Sequence, residues 1–312
     1  MLEKTPTTLQ GAIQGIAHIV IDAQDLTQSK RLYESILGLK PFGANVFATE
    51  SGRRSETLKL PSGQFVTLVA AAPLNDPHVS PAHQAYAVTP AGRDKIAAAL
   101  AAQGIALQRF CEDRPAEAGD NYYFDDPSGN RIQLVARATG GDGALAIDHV
   151  ALETHNILWA DEFYGNWLKC PSEHRVGWKT TDYLTAKARG AEGLAAAMPG
   201  ARYWNERYSK FKTERKAIRP NVQIYFKLGG ESCLSVYLAS RKYQAPPDDL
   251  VFGTPRTALR CSRESLDKIA AFLNERGRPF EGPIEHDRKL PLAASIHVKD
   301  PGGNFLEFCA MR

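Results

Sequence analysis

Cysteine is scarce in this chain, with five residues in 312, at positions 111, 170, 233, 261 and 309. They are odd in number, widely spaced, set among apolar neighbours and never arranged as CxxC. That excludes a disulfide framework and a thiolate zinc site, and leaves buried free thiols in a reducing cytoplasm as the expectation. Long apolar runs are missing as well. No stretch of about 18 apolar residues occurs, so no segment is expected to cross a membrane. The opening "MLEKTPTTLQGAIQG" lacks the basic start and apolar stretch of a signal peptide, which again points to the cytoplasm. Charge of one sign is lacking too: 38 Lys and Arg face 35 Asp and Glu, and the net +3 is too small to argue for a nucleic-acid partner.

What the chain does have is enough apolar material for two cores, with 43% hydrophobic and 23% charged residues. At roughly 100–200 residues per domain the length suggests two domains, and the sequence repeats itself accordingly. "IAHIVIDAQDLTQSKRLYESILGL" from residue 16 parallels "IDHVALETHNILWADEFYGNWLKC" from residue 147, each with a His 15 residues before a Tyr: His18 to Tyr33 and His149 to Tyr164. "HQAYAVTPAGRDKIAAALAAQGI" from residue 83 parallels "RTALRCSRESLDKIAAFLNERGR" from residue 256, and "DDPSGNRIQLVA" from 125 parallels "KDPGGNFLEFCA" from 299. Equivalent positions lie 131 residues apart at the first His and 173 at "DKIAA", so about 42 extra residues separate these markers in the second copy. Each copy itself contains two strand–helix–strand units.

Local patterns assign the elements. "AHIVID" alternates as a strand, while Leu32, Ile36 and Leu39, and likewise Ile96 and Leu100, have helical spacing and run into the terminating glycines 38 and 104. The Asp-Pro-x-Gly-Asn segments read as hairpin turns, since Pro presets φ and Gly and Asn tolerate positive φ. Two-residue strand periodicity puts His18 with Val20, His83 with Ala85, Gln133 with Val135, Arg256 with Ala258 and Arg260, and Glu307 with Phe305 on one face each.

This order of strand with His, helix, strands, strand, helix and "DPxGNxxE" resembles the vicinal oxygen chelate superfamily of glyoxalase I, bleomycin-resistance proteins and extradiol ring-cleaving dioxygenases. The resemblance implies an α+β fold of two tandem domains. Each is built of paired βαβββ modules in curled, largely antiparallel sheets with helices outside. The expected boundaries are a tail at 1–15, a first domain at 16–138, a linker at 139–146 and a second domain at 147–312.

In that family a divalent metal sits inside a cup, held from first and last strands of the modules. Carried over by position, the first copy offers His18, His83 and Gln133 as metal ligands. The second offers His149 and Glu307, with Arg256 where another ligand would stand. Arg stays protonated and cannot ligate, so Arg256 and Arg260 are expected to pair with acids or to clamp an anionic ligand. The terminal signature of extradiol dioxygenases is met incompletely twice: by Tyr122, Tyr123, Asp126, Pro127 and Gly129 with Gln133 for Glu, and by Asp300, Pro301, Gly303 and Glu307 with His297 for Tyr. Tyr123, His286 and His297 are therefore candidate acid/base or substrate-orienting groups.

The leading expectation is a metal-dependent oxidoreductase resembling extradiol dioxygenases, with Fe(II) as the implied ion and a small aromatic or anionic molecule as its partner. Two alternatives stay open, a metal-free binder of the bleomycin-resistance type and a glyoxalase-like lyase or isomerase. Against the lyase, Thr67 and Ser235 stand where related enzymes place a Glu. The extra segment, about 171–220, carries eleven Lys and Arg against five acids, interleaved with aromatics. It is expected to form a lid or a homodimer contact rather than a nucleic-acid surface.

Overall fold

In the computed structural model the described residues are 9–47, 52–71, 82–110, 121–137, 140–154, 157–176, 223–230, 232–238 and 250–312. Residues 1–8 of the tail, Cys111 and residues 177–222 of the basic aromatic segment lie outside them.

Four βαβββ-like modules follow one another. The first contains β1 (Ile13–Ala23), α1 (Leu26–Ser35), β2 (Lys40–Ala44), β3 (Ser55–Lys59) and β4 (Phe65–Ala70). The second contains β5 (His83–Val88), α2 (Pro90–Ala102), β6 (Gln108–Phe110), β7 (Asn121–Asp125) and β8 (Arg131–Ala136). The third contains β9 (Ala146–Thr154), α3 (Ile157–Ala160), a π-helical continuation over Asp161–Trp167, β10 (Ser172–Val176), β11 (Gln223–Lys227) and β12 (Cys233–Leu238). The fourth contains β13 (Arg256–Cys261), α4 (Arg263–Glu275), β14 (Phe280–Glu285), β15 (Leu292–Lys299) and β16 (Phe305–Met311). Because β10 occupies Ser172–Val176, the extra segment begins later than residue 171.

Helix starts follow from side-chain caps. Asp25 accepts from the Gln28 amide, Thr89 from Gly92 ahead of Pro90, and Ser262 from Ser265. On α4 the buried Leu266, Ile269, Phe272 and Leu273 form the one apolar face that the spacing calls for.

The strands make two open eight-stranded sheets. One runs β14-β15-β16-β13-β1-β4-β3-β2, the other β10-β11-β12-β9-β5-β8-β7-β6. Neighbours are antiparallel except where first and last strands of a module meet in parallel, as in β1 with β4 and β13 with β16. The sheets do not follow the division expected at residues 138 and 147. Antiparallel pairing joins β1 to β13 and β5 to β9, so the first sheet takes the outer two modules and the second the inner two. We call their concave faces the outer cup and the inner cup.

Behind the cups one apolar core joins both sheets, including Ile19 and Ile21 of β1, Ile147 and Val150 of β9, and helix residues such as Leu32, Leu100 and Leu273. Polar contacts tie the sheets together. Gln64 donates to the Ile16 carbonyl at 3.0 Å and accepts from the Ile147 amide at 2.7 Å.

The repeated turns take part in the same joint. Gly129 and Gly303 hold φ of 82° and 88°, as the tight turn requires. Asp126 in the second module accepts from its own turn amides and from Tyr33 of α1, while Asn130 donates to the Asp22 carbonyl of β1 at 2.8 Å. In mirror fashion Asp300 accepts from Tyr164 at 2.8 Å, and Asn304 donates to the Glu153 carbonyl of β9 at 2.7 Å. Each turn therefore clasps the neighbouring sheet, which gives the His-to-Tyr spacing noted above a structural purpose.

Cys170, Cys233, Cys261 and Cys309 are buried and form no disulfide among the described residues, and burial pushes the thiols of Cys170 and Cys261 up to about 12. Among the described residues no helix is long and apolar enough to cross a membrane.

Candidate functional site

Cross-strand partners share a face, so the strand register lays out both cups. In the inner cup Ala85 of β5 lies opposite His149 of β9 on one side and Gln133 of β8 on the other, with Tyr123 of β7 beyond Gln133. One step along, Ala151 lies between His83 and Ser235, with Tyr225 beyond. Alanines thus form the floor between the functional side chains and leave space above it. In the outer cup the corresponding rows are His18, Ala258, Glu307 and His297, then Thr67, Val20, Arg256 and Phe305. By register His18 corresponds to His149, Glu307 to Gln133, Arg256 to His83, and His297 to Tyr123.

This regroups the candidate ligands. His18 does not join His83 and Gln133, because β1 and β5 belong to different sheets. His83, Gln133 and His149 share the inner cup, whereas His18, Arg256 and Glu307 share the outer one. Tyr123 stands with the inner set, and His286 and His297 with the outer.

In the inner cup His83 Nε2 and His149 Nε2 lie 3.1 Å apart, both rings buried. Two nitrogens bound at about 2.0–2.1 Å to one ion are about 2.8–3.4 Å apart for angles between a right angle and the tetrahedral value. The observed separation falls inside that range. His149 Nδ1 is 2.6 Å from Asp148 Oδ1, and the other carboxylate oxygen of Asp148 is bound by Arg137. Burial acts to raise the Asp148 carboxyl, but the hydrogen bond and charge of His149 and the charge of Arg137 outweigh it and hold it below the usual range. Tyr123 and Tyr225 set ring edges against His83 and His149 at centroid distances of 5.6 and 5.5 Å. With two imidazole nitrogens and the amide oxygen of buried Gln133, the donor set fits a divalent ion of the kind that accepts N and O ligands, though without a directly ligating carboxylate.

The outer cup holds a closed ion network instead. Glu307 Oε2 is 3.0 Å from Arg256 Nε and 3.4 Å from His18 Nε2, in residues that are 1%, 2% and 0% exposed. Burial works to raise the Glu307 carboxyl, yet the charges of His18, Arg256 and His297 overcome it and hold it well below the usual carboxylate range. Arg256 also donates to the Phe47 carbonyl at 2.6 Å, and Phe47 stacks on His18 at 4.3 Å. His286, Ser295 and His297 form a chain with contacts of 2.8 and 3.2 Å, ending beside Glu307. His18, Glu307 and Cys309 bring ligating atoms within 4.8 Å of one another. A metal does not fit there as the cup stands. The guanidinium of Arg256 already occupies the carboxylate, and burial pushes the Cys309 thiol well up, away from its ligating form.

Asp148 was not legible from strand periodicity, which sends adjacent residues to opposite faces. The register steps from Ala85 with His149 to Tyr86 with Ile147, so Asp148 is an extra, bulged residue on β9. A bulge turns neighbouring side chains toward the same side. The only textual sign is "IDHV" in place of "IAHI", an Asp where the first copy has Ala17.

Comparison with known proteins agrees with this architecture. Residues 15–134 match the family model described as Glyoxalase/Bleomycin resistance protein/Dioxygenase superfamily. A candidate dioxygenase from Bacillus subtilis superposes with a TM-score of 0.63 at 14% identity, over 96% of this chain and 86% of that one. Glyoxalase I from Zea mays superposes with a TM-score of 0.56 at 14% identity, over 95% of this chain and 92% of that one. No curated protein matches the chain. The family match spans the first two modules, one in each sheet, and the paired sheets share the fold of these two structures.

Proposed function

We propose that the protein is a divalent-metal enzyme acting from its inner cup on a small aromatic substrate with adjacent oxygens, in the manner of ring-cleaving dioxygenases. The observation that carries this is the 3.1 Å convergence of His83 and His149 Nε2 beside Gln133. The fold-level likeness to the Bacillus subtilis candidate dioxygenase adds support. His83, His149 and Gln133 would hold the ion. Bound there, a divalent metal supplies Lewis acidity toward paired substrate oxygens, and Fe(II) adds redox chemistry toward dioxygen.

The chain's own residues do the rest. Without an ion, Asp148 accepts a hydrogen bond from His149 Nδ1–H, and His83 Nε2–H donates to the His149 Nε2 lone pair. Loading the site requires His83 to release that proton. Tyr123 and Tyr225 wall the imidazoles and offer flat surfaces to an aromatic ring. Tyr123, one strand beyond Gln133, also carries a phenol able to pass a proton. His286 and His297 lie in the outer cup and take no part in this scheme.

Protein purified without chelators is expected to carry divalent metal at one ion per chain. After anaerobic Fe(II) loading it should consume oxygen with catechols, and His83→Ala or His149→Ala should abolish both. Lack of metal together with lack of oxygen uptake across a catechol panel would overturn the proposal. A glutathione hemithioacetal assay tests the lyase alternative, for which the maize glyoxalase I fold is the motive.

A second reading, metal-free capture of an anionic molecule in the outer cup, is favoured by one observation. Arg260, on the Arg256 face of β13, has a buried Nε with no hydrogen-bond partner among the described residues. Arg256 itself is committed to Glu307 and Phe47. Ligand binding insensitive to chelators and weakened by Arg260→Ala would support this reading.

A further inference from the structure

We infer that Asp148 is a positioning residue that fixes the tautomer and orientation of His149, making the inner cup, and not the outer one, the metal-ready half. The inference deepens the proposed metal site and rests on it for its affinity arm alone.

The argument begins with the bulge. In both sheets the first strands of the paired modules slip by one residue next to the key histidine. Ile16 pairs with Leu259 and His18 with Ala258, leaving Ala17 extra; Ile147 pairs with Tyr86 and His149 with Ala85, leaving Asp148 extra. The two bulges are equivalent, 131 residues apart, so the backbone device is shared and only the side chain differs. In the outer cup the side chain is a methyl group. His18 Nδ1 there is buried with no hydrogen-bond partner among the described residues, and the ring rests on Phe47. In the inner cup a carboxylate reaches the neighbouring ring at 2.6 Å.

A carboxylate against Nδ1 has one electrostatically favourable arrangement, Nδ1–H donating to the oxygen. That leaves the lone pair on Nε2, the atom facing His83 Nε2 at 3.1 Å. It also makes the imidazole a more basic ligand, as carboxylate partners of metal-bound histidines do. Arg137 binds the other oxygen of Asp148 and keeps the carboxylate from turning away. The order Arg137, Asp148, His149, His83 runs from the surface into the cup. A residue with only a structural role would hold the strand but would leave the proton position unchanged.

Long-range proton–nitrogen spectra of the metal-free full chain, with His149 assigned by loss of its signals in His149→Ala, test the idea directly. The wild type should show His149 as a single Nδ1–H tautomer. Asp148→Ala should populate both tautomers and weaken Co(II) binding about 10–100-fold, while Asp148→Asn, whose amide oxygen accepts the same proton, should restore most of both. A wild-type His149 that is Nε2-protonated or evenly mixed would overturn the inference, and this arm needs no variant. So would an Asp148→Ala protein with wild-type tautomer and Co(II) affinity. A wild type that takes up no Co(II) but keeps the Nδ1–H tautomer would defeat the metal proposal while leaving the positioning role standing.

Discussion

Arg256 in the outer cup occupies the register position that His83 holds in the inner cup, and its Nε lies 3.0 Å from the Glu307 carboxylate. A fixed positive charge thus stands where a ligand would be, neutralising the acid that a metal would otherwise share. The duplicated architecture carries ionic cross-linking in one cup and a convergent ligand set in the other.

That pair makes an asymmetric stability prediction. Arg256→Ala leaves the Glu307 charge buried without its nearest partner and should destabilise the protein by about 3–5 kcal/mol in urea unfolding. Replacing both residues together by leucine should cost much less, because burial of the pair is itself expensive. Equal losses in the single and double variants would contradict the network as described.

Arg256→His should turn the outer cup into a metal site. The imidazole would join His18 and Glu307 in a set of two histidines and one carboxylate, which suits Fe(II) and related ions. Equilibrium dialysis with Co(II) should find about one more ion per chain than in the parent protein.

Gln133→Glu is the reciprocal test. It gives the inner cup the charged ligand it lacks, without changing side-chain length. Metal affinity should rise by at least about tenfold, corresponding to about 1.4 kcal/mol, and competition with a chelator measures it. Gln133→Leu should shift the same titration the other way.

The acid limb of the stability curve follows from Glu307. Its folded-state carboxyl is held below the ordinary value, so the unfolded chain binds more protons as pH falls. The stabilisation is complete above the ordinary carboxylate range, about 4.3, and is lost as pH falls from there toward the depressed folded value. Asp126 and Asp300 act with the opposite sign: burial raises both above the ordinary value, against the lowering effect of their hydrogen bonds. Glu307→Gln should therefore show a shallower loss of stability below about pH 4.3 than the wild type in pH-dependent urea melts.

Much of this was legible in the sequence, for physical reasons. Apolar periods marked α1 and α2, the repeat marked α4, and the Asp-Pro-x-Gly-Asn turns marked two hairpins because few residues accept positive φ. The ligand types were legible as well, since His and Gln or Glu recur at matched places. Their grouping was not. β1 and β5 each present one free edge with the same alternation, and local pattern is silent on whether β1 joins β5 or β13. Asp148 was hidden for a second reason, that only a bulge lets consecutive side chains cooperate on one face.

The nesting of the modules also sets an order of assembly. The inner sheet joins modules that follow one another in the chain, β5 through β12, and can close once residue 238 has been made. The outer sheet must bring Ile13 to Cys261, closing a loop of about 250 residues, a contact whose entropic cost is met late. During synthesis the first module therefore waits with the β1 edge open until the fourth module emerges. Truncation before β13 would leave that edge exposed for pairing with another chain, while the inner cup, with His83, Gln133 and His149, would already have all its strands.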